Sequence, residues 1–232
     1  MVYSSGKIIE SPRDRSARMS ANDLKSRLKK SHPLFLSYIY LYREIKRFFS
    51  SFKSDEVIVD FGCGQKPYKA FINSEIKYIG IDIDKSNDKA DIISSVYSVN
   101  LNDNSADYSV SFQVIEHLEK PQEMLSEMYR ITKPGGKIML TFPLSWELHE
   151  EPNDFFRYTH YGMFYLLNSV GFQNLKVVRL GCGITNFVLK LNKIINKPVL
   201  KLIIPILNTL AYRLEKNNDN DVVNYAVYAI KK

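Results

Sequence analysis

The stretch Val57-Ile58-Val59-Asp60-Phe61-Gly62-Cys63-Gly64 constrains this chain more than any other. Residues 57–61 form a β-branched, apolar run of the kind that makes a buried strand. The run closes on an acid, and a Gly-x-Gly turn follows at once. Glycines at such a turn let the backbone approach a ligand with no Cβ in the way. Pro67 suits the first position of a helix, so a short helix over 68–73 is expected. A second strand is expected over 77–81, ending at Asp82. An acid at the tip of a second parallel strand is placed to accept hydrogen bonds from a ribose diol. Strand, glycine turn, helix and acid together predict a nucleoside site at the carboxyl ends of parallel strands.

The glycine pattern narrows the nucleoside. A dinucleotide site needs a third glycine so that a pyrophosphate can sit on the helix N-terminus. Here Pro67 occupies that position. Asp60 beside the turn repels phosphate and attracts an ammonium or sulfonium group. Asp60-Phe61-Gly62-Cys63-Gly64 resembles the first motif of the class I S-adenosylmethionine-dependent methyltransferases, and Ile81-Asp82-Ile83 their second. The resemblance implies a Rossmann-like, doubly wound α/β sheet of seven strands with an antiparallel last strand. It also implies S-adenosylmethionine as cofactor, held by Asp60, Gly62, Cys63, Gly64, Asp82 and Ile83.

Further blocks extend the resemblance in order. Residues 91–99 resemble the segment whose loop touches the adenine, with Ser95 or the backbone of Val96 making the contact. Residues 106–118 resemble the fourth strand and its loop, which places Phe112 and Gln113 against the cofactor. His117 in that block is expected to cap a loop more than to act as a base. An amphipathic helix over 121–131 precedes Lys133-Pro134-Gly135-Gly136-Lys137 and a fifth strand over 138–142, which together resemble the family's post-helix loop. A helix over 164–170, a sixth strand over 174–180 and a last strand over 222–230 complete the pattern.

Two segments depart from that frame. Residues 1–53 form a basic extension with net charge +8, whereas 54–232, the expected methyltransferase domain, carry −1. A short basic helix over 24–30, a break at His32-Pro33 and an amphipathic helix over 34–52 are expected there. That helix packs beside the first strand, or serves as a lid or a membrane-facing element. Residues 184–216 interrupt the usual hairpin between the last two strands with an apolar, basic sequence of net charge +5. A helical pair broken at Pro198 and Pro205 is expected, meeting its own domain, a second copy of the chain or an anionic membrane surface.

The acceptor side is expected in residues 143–161, which concentrate Trp146, His149, Asp154, Phe155, Phe156, Arg157 and Tyr158. This pattern resembles methyltransferases encoded with bacterial cell-surface polysaccharide genes. Aromatic faces stack on sugar rings, and O-methylation needs a base near the hydroxyl. His149 is assigned that role, Asp154 orients it and Arg157 binds the acceptor; alternatively Arg157 and Asp154 form an ion pair that anchors the loop. Cys63 and Cys182 are two distant thiols, so neither a disulfide framework nor a metal ligand set is expected. No apolar run reaches the length of a bilayer, and a cytoplasmic protein, peripheral at the inner membrane face at most, is expected. The leading function is O-methylation of a sugar or other small molecule. A non-catalytic cofactor-binding scaffold is the alternative from another class. Nucleic-acid methylation ranks below both, because no Asn-Pro-Pro-Tyr block for a flipped base is present.

Overall fold

A computed structural model describes residues 19–72, 75–195, 201–216 and 220–232. The first 18 residues of the basic arm, and Lys197 and Pro198 of the insert, lie outside this range. Seven strands form one mixed sheet in the order β3-β2-β1-β4-β5-β7-β6. They are β1 (Val57–Phe61), β2 (Lys77–Asp82), β3 (Ile92–Ile93), β4 (Ala106–Phe112), β5 (Thr132–Pro143), β6 (Phe172–Cys182) and β7 (Val222–Lys231). β1 to β5 pair in parallel, and β7 runs antiparallel between β5 and β6. The expected sheet, antiparallel last strand included, is the one observed.

Six α-helices cover the sheet among the described residues: α1 (Ala21–Arg27), α2 (Phe35–Phe49), α3 (Pro121–Ile131), α4 (His160–Ser169), α5 (Ile184–Ile194) and α6 (Ile204–Leu214). α1 opens with a reciprocal cap in which Ser20 and Asp23 satisfy each other's backbone amides. Pro121 starts α3 at a position where its missing N–H costs nothing. The helix expected after Pro67 is reduced to one 3-10 turn, Lys69–Phe71. α4 begins four residues earlier than the sequence suggested, because the Thr159 hydroxyl accepts the Gly162 amide and caps it.

One face of the sheet buries Phe61, Ile81, Met124, Leu125, Met128, Leu140 and Phe142 around α3 and α4. The other face takes α2, where Leu41, Ile45, Phe48 and Phe49 meet Ile58, Tyr108, Val110, Met139 and Ala226. The N-terminal extension is therefore a layer of the fold, and α2 packs on the central strands. Its N-terminal half reaches the insert: Phe35 and Leu36 bury Val188, Leu189 and Ala211 of α5 and α6. Two fully buried asparagines fasten that junction. Asn192 donates to the Pro33 carbonyl at 3.0 Å, and Asn208 donates to Lys30 and His32 carbonyls at 2.7 and 3.1 Å. Such bonds make burial of amides tolerable and fix how the insert sits. Its outer face stays exposed at Phe187, Ile194, Leu202, Ile206, Leu210 and Leu214. No helix among the described residues is long and apolar enough to cross a membrane.

Candidate functional site

A cavity of about 600 Å³ opens at the carboxyl ends of β1, β2 and β4. The parallel register decides who meets there: Asp60 lies beside Gly80 of β2 and Val110 of β4. Gly62 and Cys63 then turn back, their amides donating to the Ile81 carbonyl at 3.0 and 2.9 Å. Gly62 adopts φ +80°, and a Cβ there would come within 2.6 Å of the Val114 side chain. Gly80 is needed for space rather than torsion, since its Cβ would meet Cys63 Sγ at 2.7 Å. The turn is held from β2, where the Asp82 carboxylate accepts the Gly64 amide at 3.1 Å and the Asp84 amide at 2.8 Å.

Asp60 is fully enclosed. The Tyr78 hydroxyl donates to one of its oxygens, while the other, Oδ1, has no partner. Burial pushes its carboxyl up to about 7, against the pull of Tyr78 and Lys66. An orphaned buried carboxylate oxygen on a cavity wall suits a cationic ligand group. Ile83, Ser95, Val96, Phe112 and Gln113 also line the cavity, as do Gly62, Cys63 and Gly64. The structure thus brings together all ten residues expected to hold the cofactor. Gln113 sits at φ +56° and is pinned by its amide to the Thr141 carbonyl at 2.9 Å.

The N-terminal layer, for which a lid was one of the expected roles, supplies further walls. Met19, Arg27, Ser37, Tyr38 and Leu41 of the N-terminal layer line the cavity, and Tyr97 and Asn224 close other sides. Arg27 donates to the Tyr38 hydroxyl and lies over its ring, 4.7 Å from the centroid. The only sequence signal for this was the amphipathic pattern of 34–52, which does not say which strand ends a helix will overhang.

Trp146, His149, Glu150 and His117 also line the cavity. His149 stacks edge to face on His117, ring centroids 4.6 Å apart. Asp154 accepts both the His149 amide at 3.0 Å and its Nδ1 at 3.2 Å, so it orients the ring from behind. Arg157 lies off the cavity wall. Its guanidinium grips Asp154 through both terminal nitrogens, at 2.5 and 2.7 Å, and donates to the Glu147 carbonyl at 3.0 Å. This is the geometry of the loop-anchoring pair, not of an acceptor ligand. Burial disfavours the Asp154 carboxylate, but the Arg157 and His149 bonds outweigh it and bring its pKa to about 2.

His117 caps a loop as expected, its Nδ1 lying 2.9 Å from the Asn153 carbonyl. Burial lowers its basicity. Glu116 beside it is completely enclosed and is pushed up to about 8 by burial. Glu116, His117 and His149 each offer a ligand atom within 4.8 Å of the others, a cluster the sequence reading did not anticipate. The first two adjoin in sequence, but His149 arrives from a different loop, so no spacing motif could announce the trio.

Comparison with known proteins agrees with this architecture. The family described as "Methyltransferase domain" matches residues 59–140. A tRNA (carboxymethyluridine(34)-5-O)-methyltransferase of Arabidopsis thaliana is 29% identical over 118 residues, covering 47% of this chain and 28% of the relative. An uncharacterized methyltransferase of Mycobacterium bovis is 25% identical over 158 residues, covering 53% of this chain and 62% of the relative. The chain therefore spans less than two thirds of the length of these curated relatives. Among solved structures, a SAM-dependent methyltransferase from Archaeoglobus fulgidus superposes with TM-score 0.59 at 21% identity, covering 83% of this chain and 94% of that one. Phosphoethanolamine N-methyltransferase 2 of Haemonchus contortus, solved with S-adenosyl-L-methionine, gives TM-score 0.61 at 15% identity, covering 96% of this chain and 60% of that one. From its strand order, its glycine turn and the matched 59–140 segment, the chain carries a class I S-adenosylmethionine-dependent methyltransferase domain.

Proposed function

We propose that the chain binds S-adenosylmethionine in the cavity at the ends of β1, β2 and β4 and methylates a hydroxyl of a sugar or other small molecule. The observation that carries this is one cavity lined both by the buried carboxylates of Asp60 and Asp82 and by His117, His149 and Trp146. The cofactor would supply an electrophilic methyl group on a sulfonium.

The chain's own residues fit that cofactor. Asp60 Oδ1, buried and without a partner, would receive the amino group of the methionine part. Asp82 closes β2 and lines the cavity, where an acid at the tip of a second parallel strand meets a ribose diol. Gly62 lets the turn close on Val114, and a Cβ at Gly64 would project into open space. Ser95 and Val96 border the side where a base would lie. The protein's contribution to such a displacement is alignment and exclusion of water.

The acceptor end supports a polyol. Trp146 borders the main cavity and a second one of about 530 Å³, lined also by Glu147, Asn186, Lys190 and Lys193. Its ring offers a stacking face, and Lys193 lies 4.3 Å from its centroid, tied to Glu147 at 2.8 Å. The hydroxyl must lose a proton during transfer. The titratable groups on the cavity wall beside Trp146 are His149, backed by Asp154, His117 and Glu150. The Arabidopsis relative is named for a tRNA substrate, which makes RNA a necessary arm of the test.

Transfer of labelled methyl from S-adenosylmethionine to nucleotide sugars, lipid-linked sugars and tRNA decides between these acceptors. Label in a sugar fraction supports the reading. Label in tRNA alone overturns the small-molecule assignment, and tight cofactor binding with no transfer to any acceptor favours a scaffold.

A further inference from the structure

The acceptor end holds a group that methyl transfer to a hydroxyl does not by itself explain. Glu116 is 0% exposed, and neither of its carboxylate oxygens has a hydrogen-bond partner. It stands on the 3-10 turn Ile115–His117 that follows β4. Its main-chain carbonyl is occupied, accepting the Phe155 and Phe156 amides at 2.9 and 3.1 Å. The Arg157 guanidinium acts on Glu116 only through space: its terminal nitrogens go to Asp154 and its buried Nε has no hydrogen-bond partner. A carboxyl without water or hydrogen-bond partners is costly as the anion, and a cation sharing its site offsets that cost.

The two neighbouring imidazoles are dressed as ligands. His117 Nδ1 faces the Asn153 carbonyl, and His149 Nδ1 faces the Asp154 carboxylate and, at 3.3 Å, the Glu147 carbonyl. These are all acceptors, so each ring carries its proton on Nδ1 and keeps the lone pair on Nε2. An outer carboxylate or carbonyl fixing the far nitrogen is the usual second partner of a metal-bound histidine. His117 Nε2 already lies 3.8 Å from Glu116 Oε1. Ligand atoms about 2.0–2.1 Å from one tetrahedral centre sit about 3.4 Å apart, so atoms now within 4.8 Å of one another would draw together around the ion.

We propose that Glu116, His117 and His149 hold one divalent transition-metal ion, of the zinc or manganese class, at the acceptor end of the cavity. Two imidazoles and a carboxylate favour such ions over magnesium or calcium, which take all-oxygen sets. Three protein ligands leave a coordination position open, as in catalytic sites. His117, His149 and the exposed Glu150 all line the cavity, so the open position faces the acceptor.

This assignment rests on reading the cavity as a methyl-transfer site, and it specifies how the acceptor is ionised. Bound to the ion, the acceptor hydroxyl becomes acidic and its proton passes to the Glu150 carboxylate, which reaches solvent. The oxygen's electron pair then forms the bond to the methyl carbon while the carbon–sulfur pair returns to sulfur, leaving a neutral thioether. His149 acts here as a ligand, with Asp154 setting its ring, and not as the proton acceptor.

The test is titration of the chelator-stripped, tag-free chain with zinc chloride and with manganese chloride by calorimetry, in parallel with S-adenosylmethionine. The expected result is one ion per chain, with affinity lowered at least about tenfold by Glu116→Gln and by His149→Ala. His160→Ala, away from the cavity, should leave it unchanged. His149 is partly exposed, so its variant serves if Glu116→Gln does not fold. A cobalt-substituted protein should lose its ligand-field spectrum in the same two variants. Equal ion affinity in the wild type, His149→Ala and His160→Ala overturns the proposal, as does the absence of any stoichiometric ion. Ion binding without cofactor binding would sink the methyl-transfer reading and leave the metal site standing.

Discussion

The Asp82 carboxylate holds the Gly64 amide at 3.1 Å, so the acid that should grip the ribose also fastens the glycine turn. Both jobs fall on one side chain because β1 and β2 are parallel neighbours whose ends coincide, Phe61 pairing with Ile81. Asp82→Ala should weaken S-adenosylmethionine binding by about 1.5–3 kcal/mol, the scale of a charge-assisted hydrogen bond. Asp82→Asn, which keeps an acceptor for Gly64, should lose less than Ala. Calorimetry giving wild-type affinity for Asp82→Ala would remove this residue from the site.

Asp60 predicts a pH dependence. Its folded pKa, about 7, lies above the ordinary value because burial opposes its charge. The charged or polar neighbours facing it are Tyr78, Lys66 and Asp82. A proton therefore competes with the cofactor's amino group, and affinity should fall by up to about tenfold per unit as pH drops below 7. In the free protein the same shift acts on folding. A raised carboxyl keeps its proton in the folded state, so its contribution to stability is full below about 4 and declines as pH rises towards 7. Asp60→Asn should flatten the affinity profile measured between pH 5.5 and 7.5. A wild-type profile already flat would show that Asp60 does not carry the contact.

The Arg157–Asp154 pair predicts an effect through the loop. The Asp154 side chain is 2% exposed, and Arg157→Ala would strand its charge. We expect a loss of about 3 kcal/mol in unfolding free energy, the usual result of deleting one partner of a buried pair. Cofactor affinity should stay near wild type while turnover falls, since His149 loses its fixed backing. The double variant Asp154→Asn/Arg157→Ala should regain much of the stability and little of the turnover. If Arg157→Ala melts like the wild type, the pair does not anchor the loop.

The outer face of α5 and α6 predicts a membrane contact. Phe187, Ile194, Leu202, Ile206, Leu210 and Leu214 are exposed there, and Lys190, Lys201, Arg213 and Lys216 are exposed on the same two helices and their flanks. Apolar projections with basic neighbours fit the interface of an anionic bilayer better than a second copy carrying the same charge. The chain should sediment with phosphatidylglycerol vesicles at low salt and be released at high salt. Protein that stays in the supernatant, with a doubled mass by light scattering, would mark this face as a dimer contact instead.

The strands and the cofactor wall were legible because they depend on local pattern. Val57 to Gly64 states its own strand and turn, and one register then fixes where Asp82 and Gln113 must stand. What the sequence hid was assembled from distant pieces. Asn192 and Asn208 look like solvated residues until their amides meet the carbonyls of 30–33. For Arg157 the sequence left two roles open, acceptor ligand or anchor to Asp154, and only the folded loop shows Asp154 taking both terminal nitrogens. Glu116 and His117 resembled a family block, and only the return of the 143–161 loop set His149 against them. Helix limits erred where a side chain decides them, as Thr159 does for α4.

The position of β7 bears on how the chain is made. Among the described residues β6 pairs with β7 and with no other strand, and β7 is the last of the seven to be synthesised. Until residues 222–231 have left the ribosome, β6 is an unpaired ribbon and β5 presents a bare edge. Nascent protein therefore carries two sticky strands of the mature sheet for the whole time taken to translate α5 and α6. Expression yield should depend on chaperone supply during that interval, and a stop codon just before Val222 should give aggregate rather than a smaller soluble domain.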